Sequence, residues 1–413
     1  MSSRRLLIIG NGMAATRLLD ELLARGMAGA DIAVVGEEDA PGYNRIALSP
    51  WLAGEKNLDQ LITHDAAWYA AHGIALYRAD PVLSVTTDTR EARLASGRVL
   101  AWQQLIFATG SRATRLNIAG HDLAGVSVFR SLADAESIAA KAVAGQRAVV
   151  IGGGLLGLEA AWGLRQRGLS VSVVHNGDWL MNRQLDAEAG ALLAQALTAR
   201  GIELHLGARS EAFVSDAALN NGALTGLRLS VAAGQERRQE QTVPCELAIM
   251  SLGITPEISV AAAAGAHCAR AIRVDAWLRT SLKNVFALGE CCEIDGESFG
   301  LVAPIYQQAK ILADTLMGAD SLGYRRMASP TRLKVTGIDL FSAGELHDLA
   351  DCHSVAWRDA QRGHYRRLWF RHRQLIAAVL YGDVDDGGAF FDVIEQGLPV
   401  ADPVALMLSG CVA

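Results

Sequence analysis

The chain has 413 residues, of which 51% are apolar and 20% charged, and its formal net charge is −6. This length implies two or three domains, and the mild acidity argues against a nucleic-acid-binding surface. No apolar run is long enough to cross a membrane, and no signal peptide precedes the first predicted strand, so we expect a cytoplasmic protein.

The first predicted element is a short apolar strand, residues 5–9, which runs into a glycine turn and then into residues with helical spacing. Strand, turn and helix in this order are typical of a dinucleotide-binding unit. The small residues let the backbone approach a pyrophosphate at the helix N-terminus, where free N–H groups favour anions. We therefore predict cofactor contacts from the turn residues Gly10, Gly12, Met13, Ala14 and Ala15.

An acid follows the second predicted strand, residues 31–36. Glu37 lies 22 residues after Ala15, where such units place the carboxylate that binds a ribose. Arg45 follows in a turn-rich segment and could reach back to the pyrophosphate as a bidentate donor. The turn, the helix and the acid together favour a bound nucleotide over an ordinary strand–helix connection that binds no ligand.

The next hundred residues hold several shorter elements. We predict a helix over residues 58–72 and strands over 74–77, 82–87, 93–94 and 104–107. The last of these strands ends in the small-residue turn Ala108, Thr109 and Gly110. Such a turn lets the chain pass closely beside a ligand.

A second strand, glycine turn and helix begin at Arg147, so the dinucleotide-binding pattern occurs twice and implies two dinucleotides. The predicted contacts from this turn are Gly152, Gly154, Leu155, Leu156 and Gly157. The following strand ends in His175 and Asn176, with neither an acid for the ribose of NAD nor an arginine pair for the extra phosphate of NADP. The choice of nucleotide stays open, and the lack of a cationic cluster favours NADH.

The six cysteines show no zinc or iron–sulfur spacing, so we predict reduced, mostly buried thiols and no metal site. They are Cys245, Cys268, Cys291, Cys292, Cys352 and Cys411. The adjacent pair Cys291 and Cys292 could have a redox role. A disulfide between neighbouring residues is strained, however, and we favour simple packing.

A third glycine-centred region completes the pattern. A buried strand and turn are predicted over 246–256, a strand over 280–288 that ends in Gly289-Glu290, and a helix over 304–312. Together these motifs resemble the two-dinucleotide flavoprotein superfamily, in which an FAD domain is split in sequence around an inserted NAD(P)H domain.

The resemblance implies an α/β fold with two Rossmann-like domains and a smaller α+β C-terminal domain. Its expected divisions are 1–115 and 244–322 for FAD, 116–243 for NAD(P)H, and 323–413 for a C-terminal interface domain. It places residues 108–110 and Gly289-Glu290 beside FAD, with Glu290 where relatives usually have Asp. It also adds Ser49, Val82, Glu159 and His175 to the expected cofactor contacts.

A narrower resemblance is carried by residues 43–45, 48–49, 52–55, 181–186, 333–344 and 381–383. These segments are similar to the FAD module of assimilatory nitrite reductases, large subunit, and rubredoxin and ferredoxin reductases share most of them. The implied activity is transfer of electrons from NAD(P)H through FAD to a separate redox protein. That acceptor would be a nitrate or nitrite reductase component, a rubredoxin or a ferredoxin. The alternative is an NADH-responsive flavoprotein with a sensing or interaction role.

Several departures from these relatives narrow the chemistry. Residues 43–55 contain no cysteine, so we do not expect a thiol–disulfide relay. Pro50 stands where ferredoxin-reductase relatives often have a lysine that pairs with the equivalent of Glu159. Because hydride transfer to a flavin needs no acid–base side chain, no catalytic residue is expected. Complete nitrite reductases continue into iron–sulfur and sirohaem domains, so we expect these 413 residues not to reduce nitrite alone.

Overall fold

The computed structural model describes residues 5–216, 222–232, 238–325, 330–335 and 337–410. The side chains of residues 232, 238 and 333–335 are outside this description. Thr336, part of a predicted family motif, and Cys411 also lie outside the described residues. Within the described ranges, no helix combines the length and the apolar character needed to cross a bilayer.

The first parallel sheet gathers the amino-terminal strands and one strand from much later in the chain. The elements up to residue 113 are β1 (Leu6–Ile9), α1 (Met13–Ala24), β2 (Ile32–Val35), β3 (Gly42–Tyr43), α2 (Leu48–Leu52), β4 (Ile62–His64), α3 (Ala66–Ala71), β5 (Ala75–Tyr77), β6 (Val82–Thr86), β7 (Glu91–Leu94), β8 (Val99–Ala101), β9 (Gln104–Phe107) and β10 (Ser111–Ala113). Leu6 pairs with Ile32 on one side and with Gln104 on the other, both in parallel register. The carboxyl ends of β1, β2 and β9 therefore meet at one edge, where the first glycine turn begins.

The prediction of a helix over residues 58–72 is wrong in its first half. Ile62–His64 forms β4, which pairs with β3, and only Ala66–Ala71 is helical. The Asp65 side chain caps this helix by accepting from the backbone N–H of Trp68. The cap starts the helix late, and propensity alone did not reveal the strand pairing that precedes it.

The second parallel sheet repeats the arrangement of the first. Its part of the chain contains β11 (Val126–Val128), α4 (Leu132–Lys141), β12 (Arg147–Ile151), α5 (Leu155–Gln166), β13 (Ser170–Val174), α6 (Ala187–Ala199), β14 (Ile202–His205), β15 (Ala208–Ser215), β16 (Leu224–Ala232), β17 (Arg238–Pro244) and β18 (Leu247–Met250). The strand order is β11-β18-β12-β13-β14, against β21-β9-β1-β2-β5 in the first sheet, where β21 is the later strand Val285–Ala287. An antiparallel meander is inserted in each sheet, β6–β8 between β5 and β9 and β15–β17 between β14 and β18. The predicted doubling of an α/β dinucleotide-binding unit is confirmed.

The predicted boundary at residues 243/244 is wrong, because β18 lies inside the second sheet. It pairs in parallel with both β11 and β12. A buried apolar run fits either sheet equally well, so its sequence does not reveal which sheet it joins. The chain passes between the two units where β10 pairs antiparallel with β19 (Ile254–Pro256), at Ser111 and Pro256.

The chain then returns to the first unit through β19 (Ile254–Pro256), α7 (Ser259–Ala263), β20 (Ile272–Val274), β21 (Val285–Ala287), β22 (Cys292–Ile294), β23 (Glu297–Ser298) and α8 (Val302–Met317). Strand β21 pairs with β9 and completes the first sheet. Helix α8 packs on α1. One apolar core joins these returning elements to the amino-terminal strands.

The C-terminal part is an antiparallel sheet with helices on one face. Its elements are β24 (Thr331–Val335), β25 (Ile338–Gly344), β26 (His353–Asp359), β27 (His364–Arg371), β28 (Gln374–Tyr381), α9 (Gly387–Gln396) and α10 (Pro403–Ser409). Tyr365, Trp369 and Ala377 share an apolar core with α5 and α6 of the second unit. The C-terminal sheet is therefore anchored to the second unit.

Candidate functional site

The first glycine turn is shaped by a steric limit at Gly10. Gly10 has φ +113°, and a Cβ at this position would lie 2.1 Å from the carbonyl oxygen of Ala108. A residue other than glycine would therefore both strain the backbone and displace β9. Gly12, the residue that precedes α1, has open space where its Cβ would be.

Helix α1 begins without a side-chain cap. Its first N–H groups, at Met13 and Ala14, belong to residues that line a large cavity of about 1050 Å³. An uncapped helix start keeps its orphan donors and its positive dipole end available to an anion.

The cavity collects most of the residues predicted from the first motif. Among the predicted contacts, those that line it are Gly10, Gly12, Met13, Ala14, Glu37, Arg45, Ala108, Thr109, Gly110 and Glu290. Four of the residues predicted to contact the first nucleotide do not line it. Ala15 packs in the core, Val82 is buried in β6, Ser49 is buried in α2, and Gly289 donates its N–H to Oε1 of Gln308 at 2.8 Å.

Two arginines meet in the wall of this cavity. Arg45 donates one hydrogen bond of 2.7 Å to Glu38 and another of 2.7 Å to the backbone carbonyl of Arg130. Burial would lower the pKa of Arg45, but the neighbouring Tyr43 and Glu38 outweigh it and raise that pKa. The Arg130 guanidinium donates to Ser111 at 2.8 Å and pairs with Glu290.

Arg130 is held in place with spare donor capacity. Its side chain is only 16% exposed, and among the described residues no acceptor bonds its buried Nε. Guanidinium groups bind phosphate oxygens well because their donors form a planar fork. Two guanidiniums beside an uncapped helix start fit the pyrophosphate of a dinucleotide.

Glu37 lies at the rim of the same cavity, directly after β2. Its carboxylate is 60% exposed and its nearest cation is Arg112 at 3.5 Å. Arg112 pairs more closely with Glu257. The Glu37 carboxylate therefore keeps acceptor capacity on the side that faces the cavity.

The second glycine turn has the same geometry as the first. Gly152 has φ +126°, and a Cβ there would lie 2.1 Å from the carbonyl oxygen of Ser251. Gly157 packs against the backbone of Gly152, whose carbonyl oxygen lies 2.0 Å from the position of a Cβ. Helix α5 starts after Gly154 without a side-chain cap, and Gly154 faces open space. Leu155 and Leu156 form the first turn of the helix, with Leu156 exposed.

His175 lies directly against this second turn. Its Nδ1 accepts a 3.3 Å hydrogen bond from the backbone N–H of Gly153, so the ring carries its proton on Nε2. Burial lowers the pKa of His175. The ring is therefore neutral at pH 7 and supplies no positive charge to this site.

Glu159 lies one turn further along α5, where that helix packs on α2. Burial raises the pKa of its carboxyl group, while a hydrogen bond from Ser49 opposes this and Glu55 adds to it. Among the described residues, no lysine or arginine contributes to this shift. Ser49 and Glu159, both predicted cofactor contacts, thus lie together between the two units.

The cysteines that the structure describes are Cys245, Cys268, Cys291, Cys292 and Cys352, and they carry free thiols. The sulfur of Cys291 lies 3.3 Å from the carbonyl oxygen of Leu288, and that of Cys292 lies 3.3 Å from the carbonyl oxygen of Gly289. Burial raises the pKa of both thiols. The described residues contain no group of three or more histidine, cysteine or acidic side chains that could hold a metal ion.

Sequence reasoning missed Arg130, Ser111 and Glu38. Arg130 precedes the capped start of α4, where Ser131 and Asp134 form a capping box. That signal marks a helix start, but nothing in it reveals that the preceding arginine meets a glutamate 160 residues away. Only the tertiary arrangement brings these charges together.

Two family descriptions match the chain. Residues 4–311 match the pyridine nucleotide-disulphide oxidoreductase family. Residues 330–398 match the rubredoxin NAD+ reductase C-terminal domain. The second match coincides with the antiparallel C-terminal sheet and α9.

Curated relatives include a nitrite reductase [NAD(P)H] of Bacillus subtilis, which is 35% identical over 97% of this chain and 48% of its own length. An assimilatory nitrate reductase electron transfer subunit of the same organism is 36% identical over 95% of this chain and 49% of its own length. The chain thus spans about half the length of these relatives.

Among solved structures, a ferredoxin reductase of Rhodopseudomonas palustris superimposes with a TM-score of 0.85 at 25% identity and covers 99% of both chains. A covalent complex of putidaredoxin reductase and putidaredoxin contains a chain with a TM-score of 0.84 at 22% identity. That likeness covers 98% of this chain and 96% of the other. The arrangement of two parallel sheets and a C-terminal sheet is thus one that whole reductase chains share.

Proposed function

The chain belongs to the pyridine nucleotide-disulphide oxidoreductase family, and on this premise we propose that it is an FAD-containing reductase that oxidises NAD(P)H and passes the electrons to a separate redox protein. The family agrees with the superfamily predicted from the glycine motifs. The observation that carries the proposal is the presence of two uncapped helix starts, α1 and α5, each behind a strained glycine turn. One chain therefore offers two dinucleotide sites.

We assign FAD to the cavity at the first turn. The residues that would hold its pyrophosphate are Gly12 and the start of α1, with Arg45 and Arg130 supplying positive charge. Glu37 would bind the adenosine ribose, and the small-residue turn 108–110 would let the chain lie against the flavin side of the cofactor. A cavity of about 1050 Å³ is large enough for a dinucleotide of this kind.

We assign NAD(P)H to the second turn, with its pyrophosphate at Gly154 and the start of α5. His175 would lie beside the adenosine, and Glu159 with Ser49 would lie towards the nicotinamide, between the two units. In this division the first unit comprises residues 1–115 and about 251–322, and the second comprises 116–250. The C-terminal domain, from residue 323, shares an apolar core with the second unit and with α2 of the first.

When bound, FAD supplies a ring that accepts a hydride from NAD(P)H and releases the two electrons one at a time. The protein contributes alignment, electrostatics and exclusion of water, and no acid–base side chain is needed for that step. The segment 43–55 has no cysteine, and Cys291 and Cys292 are fully buried. Electrons would therefore leave directly for the acceptor, without a disulfide relay.

The acceptor belongs to one of two classes. The relatives from Bacillus subtilis, alike over almost the whole chain, favour a component of nitrate or nitrite assimilation. The C-terminal match and the fold of the ferredoxin reductase favour a rubredoxin or a ferredoxin. We propose the first, with a location in the cytoplasm, where NADH is available and free thiols persist.

The test starts from the purified protein. It should be yellow, with close to one FAD per chain, and NADH added without oxygen should bleach the flavin absorbance. Steady turnover with ferricyanide should follow, which a protein that only senses NADH would not sustain. A preparation that takes up no FAD, or whose flavin NADH and NADPH both fail to reduce, would refute the proposal.

A further inference from the structure

Glu290 stands where relatives usually have Asp, and its contacts are with the protein. One oxygen of its carboxylate accepts a 2.6 Å hydrogen bond from the hydroxyl of Ser111. The same oxygen forms an ion pair with the guanidinium of Arg130. Both charged side chains are only 16% exposed. A hydroxyl and a guanidinium thus both contact this carboxylate within the wall of the cavity.

Arg130 needs such a partner in order to stay in the wall. It lies against a second guanidinium, since Arg45 donates to the backbone carbonyl of Arg130 at 2.7 Å. Burial lowers the pKa of Arg130 first, and attraction to Glu290 opposes this while the charge of Arg45 lowers it further. Without a carboxylate beside it, a guanidinium in this place would turn towards solvent.

We propose that Glu290 is a positioning residue that holds Arg130 towards the pyrophosphate of FAD, and that it does not itself bind the ribityl chain. The inference rests on the proposed FAD site. Glu290 engages Arg130 through a single nitrogen, Nη2, which also donates to Ser111. The Nε of Arg130 has no acceptor among the described residues. The guanidinium therefore keeps donors for an anion while the carboxylate fixes its position.

The length of the side chain matters to this role. Glu290 belongs to the single helical turn Gly289–Cys291 that follows β21, whereas Ser111 and Arg130 lie on β10 and just before α4. An aspartate would withdraw the carboxylate by about 1.5 Å, the length of one carbon–carbon bond. The hydroxyl of Ser111 lies 2.6 Å from the Glu290 carboxylate and the guanidinium of Arg130 contacts it directly, so that withdrawal breaks both contacts. The additional methylene of glutamate is thus what carries the carboxylate to Ser111 and Arg130.

The affinity for FAD separates these two roles. The flavoprotein is diluted, and the FAD released at equilibrium is measured by its fluorescence. The proteins compared are the parent, Glu290→Gln and Glu290→Asp, and the same three proteins carrying Arg130→Met. We expect each Glu290 substitution to raise the Kd for FAD about tenfold when Arg130 is present. With Arg130→Met already in place, the same substitutions should change the Kd less than about twofold, because the guanidinium that Glu290 contacts directly is gone.

Folding is checked by circular dichroism, and Arg130→Gln, which is also uncharged, replaces Arg130→Met if the latter does not fold. Ser111→Ala serves as a second approach, since it removes one hydrogen bond and keeps both charges. It should weaken FAD binding by about threefold, less than the charge substitutions do. The proposal is overturned if Glu290→Asp binds FAD as tightly as the parent, or if the effect of Glu290→Gln is unchanged by Arg130→Met. Absence of FAD from the parent would instead overturn the proposed function itself.

Discussion

The hydroxyl of Tyr365 donates a 2.6 Å hydrogen bond to Asp186, across the boundary between the C-terminal sheet and the second parallel unit. The other oxygen of the same carboxylate accepts from the backbone N–H of Ala189 and so caps helix α6. Arg367, on the same strand as Tyr365, also donates to Asp186 at 3.3 Å. A single carboxylate thus starts a helix of one domain and ties down a strand of another.

We predict that Tyr365→Phe lowers the free energy of unfolding by about 1.5–3 kcal/mol, because Tyr365 is fully buried and its hydroxyl donates to a charged acceptor. Urea unfolding measures the change. Tyr381→Phe is a matched control, since Tyr381 also joins the C-terminal sheet to α6, but through a longer 3.3 Å bond to the carbonyl of Leu192. Its effect should be smaller, and equal effects would show that the charge of Asp186 contributes nothing.

The two open glycines make separate predictions for the two nucleotides. Gly12 and Gly154 have φ near −82° and −85°, which alanine adopts freely, and neither has a neighbour within 4 Å of a Cβ. Gly12→Ala should therefore fold normally and lose FAD affinity by about tenfold or more, because the methyl group occupies the approach to the helix start.

Gly154→Ala should keep its FAD and raise the KM for NADH. Flavin content and steady-state kinetics distinguish the two outcomes. Gly10→Ala is the contrasting control, because its Cβ would clash with Ala108 and its φ is positive, so it should lower stability as well. If Gly12→Ala raised the KM for NADH and left FAD in place, the two assignments would be reversed.

The sequence was sufficient to predict those elements of the fold that depend on a local pattern of residues. Both glycine turns, the strands before them and the helices after them could be predicted, because short-range sterics and periodicity specify a strand–turn–helix unit. The α/β class and the division into repeated dinucleotide-binding units followed from the repetition of that pattern. In these parts of the fold, the local structure depends mainly on residues that are close together in the sequence.

What could not be predicted depends on partners far apart in the chain. The sequence of strand β18 is a buried apolar run that is compatible with either sheet. Only its pairing with β11 and β12 shows that it belongs to the second sheet. The Arg130–Glu290 pair joins two positions with no shared sequence signal. The same holds for the hydrogen bond between Asp186 and Tyr365, which are 179 residues apart.

Glu159 provides a prediction about pH. Burial raises the pKa of its carboxyl group above the ordinary value of 4.5, so the folded protein binds more protons than the unfolded chain between these two values. The free energy of unfolding therefore falls as pH rises through that interval, and the cost of the buried charge persists at pH 8. We expect Glu159→Gln to be more stable than the parent at pH 8, with the difference vanishing near pH 4.5.

Urea unfolding at several pH values measures this difference. Glu395→Gln, at an exposed position of α9, is the control and should leave stability unchanged throughout. A Glu159→Gln variant less stable than its parent at pH 8 would show that the carboxylate has a favourable partner between the two units.

The neutral ring of His175 predicts the preferred nucleotide. Because Nδ1 accepts from Gly153, the ring offers no positive charge to the 2′-phosphate of NADPH. We expect the kcat/KM for reduction of the flavin to be about tenfold higher with NADH than with NADPH at pH 7.5. Rapid-mixing experiments measure the two values. His175→Arg should narrow or reverse this ratio by supplying a cation. A parent enzyme that prefers NADPH would mean that another cation binds the phosphate.

The last prediction concerns the adjacent cysteines. Cys291 and Cys292 are fully buried, and burial raises the pKa of both thiols, so neither is available as a thiolate. Replacing both by serine should leave NADH:ferricyanide turnover within a few-fold of the parent, since serine can donate to the same carbonyl oxygens. A tenfold change corresponds to about 1.4 kcal/mol in the barrier, which repacking beside the cofactor cavity can produce. A hundredfold loss with FAD content and unfolding midpoint unchanged would show instead that the sulfurs lie on the electron path.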